Sequence, residues 1–135
     1  MAVVNRLEAR AAVLADLQAN LTDLQAIYDY LPKDLQGQSP VCTIESGPIA
    51  QTHTPDEPQA VNLVVGFWVR RDGEAGSGMT AEDAADLIDT LAAGLATRMF
   101  AAFNATFPRE SEIGYETIDG NDYQIELHYV QMQWW

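Results

Sequence analysis

The residues of this chain that could do chemistry begin with Gly73-Glu74-Ala75-Gly76-Ser77-Gly78-Met79-Thr80, which has the glycine spacing of a phosphate-cradling P-loop. It lies between a strand-like run and a helix-like run, as that motif requires. Met79, however, stands where the motif needs lysine, and a thioether cannot neutralise the β- and γ-phosphates. Asp72, Glu74, Glu82 and Asp83 would repel a nucleotide as well. The stretch reads as a polar loop.

Other reactive residue types are equally isolated. His53 and His128 are far apart, and neither has a His or Cys partner at ligand spacing; they read as solvent-facing or interface residues. Cys42 sits among Val41, Thr43 and Ile44, the setting of a small core residue rather than a nucleophile. Glu82, Asp83, Asp86 and Asp89 form face-sharing pairs at helical spacing, and such carboxylates can collect a hard cation. Their place at a helix start is accounted for by the helix dipole. No nucleophile, base and orienting group can be assembled. The expectation is a protein that is not an enzyme, with no cofactor and no metal.

The elements that would position these residues follow from periodicity. Leu7, Leu14, Leu17, Leu21, Leu24 and Tyr28 recur at spacings of three, four and seven, which predicts one amphipathic helix over about residues 3–29, ended before Pro32. Val41 to Glu45 predicts a short strand, interrupted by Gly47-Pro48. Residues 51–59 hold two prolines and read as a loop. Val61, Leu63, Val65, Phe67 and Val69 then alternate with Asn62, Val64, Gly66, Trp68 and Arg70, the pattern of a strand. A second helix starts near Thr80, whose hydroxyl can cap Asp83. Leu87, Ile88, Leu91, Leu95, Met99 and Phe103 carry it to about residue 104.

Two alternating runs, 113–118 and 123–130, flank Asp119-Gly120-Asn121-Asp122 and predict a hairpin. On its second strand Tyr123, Ile125, Leu127 and Tyr129 are expected to face the core, with Gln124, Glu126 and His128 opposite. The whole is predicted to be a single α+β domain over residues 1–135, in the order α-β-β-α-β-β. Two helices would pack on one face of a mainly antiparallel four-stranded sheet.

Composition bounds the function. The 135 residues are 47% apolar, and a domain of this size hides roughly 70% of its unfolded surface. Seven Lys and Arg against 20 Asp and Glu give a net charge of −13. That disfavours sequence-independent DNA binding and docking on an anionic membrane. A lone cysteine forbids an internal disulfide. No run approaches the ~20 apolar residues of a membrane helix, and the first residues lack a signal-peptide pattern. Both predict a protein made in the cytoplasm, there or built into something larger.

The chain resembles the small tail terminator (tail completion) proteins of long-tailed bacteriophages. The likeness rests on the leading helix with its Tyr28-Asp29-Tyr30-Leu31-Pro32 exit and on Pro40-Val41-Cys42-Thr43-Ile44-Glu45-Ser46-Gly47 as a first strand. A long second strand through Phe67-Trp68-Val69-Arg70, an Ala-rich helix and a closing hairpin complete it. The resemblance implies a virion protein at the head-proximal end of the tail, assembled in the host cytoplasm. It would form a ring, commonly hexameric, that caps the tail tube and joins it to head–tail connector proteins. DNA would pass through the lumen without specific binding, which the acidic charge favours.

The resemblance brings no catalytic residues. Candidate contact residues are Trp68, Arg70, Arg71, His53 and the terminal pair Trp134 and Trp135, together with loops 51–59 and 71–79. The terminal tryptophans have packing on their own domain as their other reading. Two other functions fit the residues. One is a head–tail adaptor or neck subunit. The other is a small-ligand binding domain with a pocket between sheet and helices, lined by Tyr115, Tyr123, Tyr129 and Phe67.

Overall fold

A computed structural model describes residues 6–47, 59–71, 79–103, 111–118 and 120–134. The fold is α+β. Helix α1 (Arg6–Asn20) leads into β1 (Ala26–Tyr28), β2 (Val41–Ser46) and β3 (Gln59–Arg70). Helix α2 (Ala81–Arg98) continues as a π-helical turn, Met99–Phe103, before β4 (Glu112–Ile118) and β5 (Asn121–Trp134). The strands form one sheet in the order β1-β2-β3-β5-β4. All neighbours are antiparallel except β1 and β2.

Two expectations are corrected here. The sheet has five strands among the described residues rather than four, and α1 stops at Asn20 rather than Asp29. Both have one cause. Ala26, Ile27 and Tyr28 pair in parallel with Val41, Cys42 and Thr43, and the Gln25 N–H donates to the Pro40 carbonyl at 2.8 Å. That pairing takes the backbone away from the helix and buries Ile27 against the main core. A β-branched and an aromatic residue suit the pleated surface. Leu7 does not join the helix stripe, being 64% exposed; the buried positions are Ala9, Val13 and Leu17.

Helix α2 matches its sequence pattern. The Thr80 hydroxyl accepts the Asp83 N–H at 3.2 Å, and Ala84, Ile88, Leu91 and Leu95 are buried. Met99 and Phe103 extend that stripe through the π-helical turn. The two helices are tied together by Arg98, whose Nε and Nη2 donate to Asp16 Oδ1 and Oδ2 at 2.9 and 2.7 Å. They also approach closely at Gly94, where a Cβ would stand 2.8 Å from Leu21 Cδ2.

The sheet buries parts of both its faces. Toward the helices, Leu63, Val65, Phe67 and Val69 pack with Cys42, Ile44, Val130 and Met132. On the other face a smaller cluster joins Val41, Trp68, Tyr123 and Ile125 to Leu35. Leu35 comes from residues 29–40, the connection between β1 and β2. Parallel neighbours need a crossover of about a dozen residues or more, and here it lies across the helix-free face.

This layering corrects the expected orientation of β5. The register sets Gln124, Glu126, His128 and Val130 opposite Val69, Phe67, Val65 and Leu63, so the polar residues share the helix side. Tyr123, Ile125 and Leu127 point to the second layer instead. Period-two alternation distinguishes two faces but does not say which one the helices cover. The predicted hairpin is present and tighter than expected: Ile118 pairs with Asn121, and Gly120 supplies a φ of +79°.

Candidate functional site

The helix-free face holds a groove of about 270 Å³, built by the register of four strands. Val41, Trp68, Ile125 and Gly114 stand side by side across β2, β3, β5 and β4. Thr43, Gly66, Leu127 and Glu112 form the next row. Two glycines shape it, in opposite ways. At Gly66 a Cβ would lie 2.9 Å from Leu127 Cδ2 and Thr43 Oγ1, and 3.2 Å from Trp68 Nε1; neighbouring side chains have filled that space. Beside Gly114 a Cβ would meet nothing within 4 Å, and there the groove stays open.

Trp68, Ile125, Leu127 and Leu31 supply apolar walls, and Glu45, Glu112 and Glu116 supply carboxylates. Trp68 is held by its indole N–H, which donates to Thr43 Oγ1 at 3.0 Å. The wall that carries Leu31 is fastened at several points. Arg10 Nη1 donates to the Asp29 carbonyl at 2.7 Å, the Tyr28 hydroxyl to Gln38 Oε1 at 2.6 Å, and the Tyr123 hydroxyl to the Gln38 carbonyl at 3.0 Å. The Arg70 N–H donates to Ser39 Oγ at 2.8 Å. Glu112 accepts a hydrogen bond from the Tyr129 hydroxyl; that bond, with burial and the carboxylate charge, pushes the phenol above its usual range.

The groove opens onto a free edge. Strand β4 ends the sheet order, so the outer side of its backbone has no strand partner among the described residues. On its other face Ile113 and Tyr115 are 64% and 62% exposed. The Arg71 guanidinium lies 4.4 Å from the centre of the Tyr115 ring.

A second polar group lies on the helix side. The Ser111 hydroxyl donates to Glu126 Oε1 at 3.0 Å, and His128 Nε2 is 3.6 Å from the same oxygen. The His128 ring packs edge-on to Phe67, with centroids 5.9 Å apart. Burial, outweighing the Glu126 charge, lowers the imidazole pKa from 6.5. A serine, an acid and a histidine meet, but the carboxylate stands between the other two. The order differs from that of a Ser-His-acid triad, in which the histidine touches the serine and the acid orients the histidine.

The structure separates most of the residues that the sequence singled out. Trp68 is 6% exposed, so it is chiefly a core side chain with one edge on the groove. Arg70 folds back, its Nη1 donating to the Gly37 carbonyl at 3.3 Å, and Arg71 covers Tyr115. Trp134 ends β5 opposite Gln59; its side chain, Trp135 and His53 lie outside the described residues, as do 51–58 and the glycine-rich stretch 72–78. Cys42 is fully buried, and burial pushes its thiol pKa up.

Glu82, Asp83, Asp86 and Asp89 do not converge on a cation site. Among the described residues no group of three or more His, Cys, Asp or Glu is placed to hold a metal ion. The tyrosine-lined pocket between sheet and helices is corrected too. Phe67 and Tyr115 point to the helix side, whereas Tyr123 and Tyr129 point to the other face. No described helix is long and apolar enough to cross a membrane.

No protein-family model matches the chain, and no curated protein shows significant similarity to it.

Proposed function

We propose that the protein is a structural virion component of the tail-terminator kind. Its subunits form a ring, most simply a hexamer, that caps a tail tube and joins it to the head–tail connector without catalysis. The observation that carries this reading is the free β4 edge, with Ile113 and Tyr115 exposed beside it. An open strand edge is a ready template for pairing with another chain. In a capping protein it completes the last ring of the tube and leaves nothing for a further copy to add to. The charge of −13 keeps phosphate from adhering as DNA passes.

Native mass spectrometry over a concentration series tests the reading. Six copies of the 14.8-kDa chain give a ligand-free ring of about 89 kDa, a closed symmetric assembly. A dimer carrying one small molecule per subunit overturns it.

A further inference from the structure

The groove beside Gly114 has a chemistry of its own. Its floor is apolar and its rim is acidic. Gly114 lies two positions from Glu112 and two from Glu116, so the three share a face and each carboxylate stands about 7 Å along the strand from the gap. Glu45 adds a third carboxylate from β2. Among the described residues no cationic side chain pairs with any of the three.

A strand laid antiparallel or parallel along β4 would place one side chain opposite Gly114. With no Cβ in the way, that side chain can lean inward over Ile125 toward Trp68. A long aliphatic stem with a charged end suits such a path, since Lys and Arg bury their methylenes on apolar surface while their heads stay solvated or paired. Neighbouring alternate residues of the same strand would reach Glu112 and Glu116.

We infer that the β4 edge and the groove beside Gly114 dock an extended segment of a different protein, one that carries Lys or Arg on the face turned toward Trp68, Ile125 and Leu127. Charge identifies the partner as foreign. This chain has 20 acidic residues and seven Lys and Arg. Of the cations, Arg98 is held by Asp16, and Arg71 lies over Tyr115. A second copy therefore brings mostly repulsion to this rim. The inference rests on reading β4 as the partner-facing edge, and it names the chemistry of what that edge receives.

The test uses the full chain and a short blocked peptide in which arginine alternates with valine. A peptide with glutamate in place of arginine is the control. Amide shifts and hydrogen exchange are followed by NMR. The arginine peptide is expected to bind with shifts and new protection at Ile113–Thr117, weakening as salt is raised. Gly114→Val puts a branched side chain into open space on a strand, so the fold is kept while affinity falls by about tenfold or more. The pair Glu112→Gln and Glu116→Gln lowers affinity without filling the groove.

Equal binding of the glutamate peptide, unchanged affinity in Gly114→Val, or shifts away from β4 overturns the inference. Failure of the capping reading looks different. A chain that binds the arginine peptide yet forms the ligand-loaded dimer keeps the docking site and loses the ring.

Discussion

The indole N–H of Trp68 donates to the hydroxyl of Thr43 at 3.0 Å, joining β3 to β2 inside the layer that the helices leave uncovered. Both side chains are buried, so neither group has water as a substitute. Thr43→Val keeps the shape and strands a buried donor, a change that costs about 1–3 kcal/mol. The urea midpoint is expected to fall with the slope unchanged. A double-mutant cycle checks the cause: in a Trp68→Phe background, which lacks the donor, Thr43→Val is expected to cost much less.

The two strand glycines of this face predict opposite outcomes. Gly66→Ala drives a Cβ to within 2.9 Å of Leu127 Cδ2 and Thr43 Oγ1, and overpacking of this kind costs about 1–3 kcal/mol. Gly114→Ala meets nothing within 4 Å and relieves the entropic cost of glycine in a strand, so stability is expected to be unchanged or slightly raised. Parallel denaturation of the two variants reads both.

Gly94→Ala is the informative change in α2. Helix propensity favours alanine by about 1 kcal/mol, while the new Cβ would sit 2.8 Å from Leu21 Cδ2. Leu21 is only partly buried at the end of α1, and the atom in the way is the tip of a flexible side chain. Net stabilisation is expected, smaller than the propensity gain alone. In a Leu21→Ala background Gly94→Ala is expected to show the whole gain by thermal denaturation.

His128 gives the fold a pH dependence whose sign is set by its lowered pKa. The unfolded chain binds the proton at pH values where the folded chain does not. The contribution is therefore complete above the unfolded value of 6.5. It is lost as pH falls from there toward the lower folded pKa, and it levels off below that. The difference in unfolding free energy between wild type and His128→Gln, followed from neutral to mildly acidic pH, should shrink over that window. A parallel pair of curves overturns the prediction.

Cys42 is expected to be inert toward a thiol-directed reagent in the native protein and to react at the rate at which the core opens. It is fully buried, and burial holds the thiol in its protonated, unreactive form. Reaction should accelerate in Thr43→Val as stability falls.

Much of this architecture is legible from local pattern. The cap at Thr80, the spacing of Ile88, Leu91, Leu95, Met99 and Phe103, and the Asp-Gly turn each stem from interactions within a few residues. Strand β1 is not legible in that way, because Leu21, Leu24 and Tyr28 continue the helical spacing. Only the presence of Val41–Thr43 alongside overrides it. The two-sided burial of β5 is hidden for a related reason: alternation marks faces without saying what covers them.

The candidate site shows the same division. Trp68 stands out by its residue type. Gly114 between Glu112 and Glu116 is an unremarked tripartite pattern until the fold sets Ile125, Leu127 and Leu31 beside it.

The sheet order has a consequence for how the chain comes off the ribosome. Strand β5, the latest of the described elements, occupies the slot between β3 and β4, pairing from Gln59↔Trp134 to Arg70↔Tyr123 on one side. Until it has been synthesised, β4 has no neighbour to pair with and one flank of β3 stands open. Closing the sheet also requires contacts between distant parts of the chain, the kind that form slowly. Synthesis halted before residue 121 should leave a species that sticks to chaperones or to itself, and the emergence of β5 is the event that commits the domain to its native state.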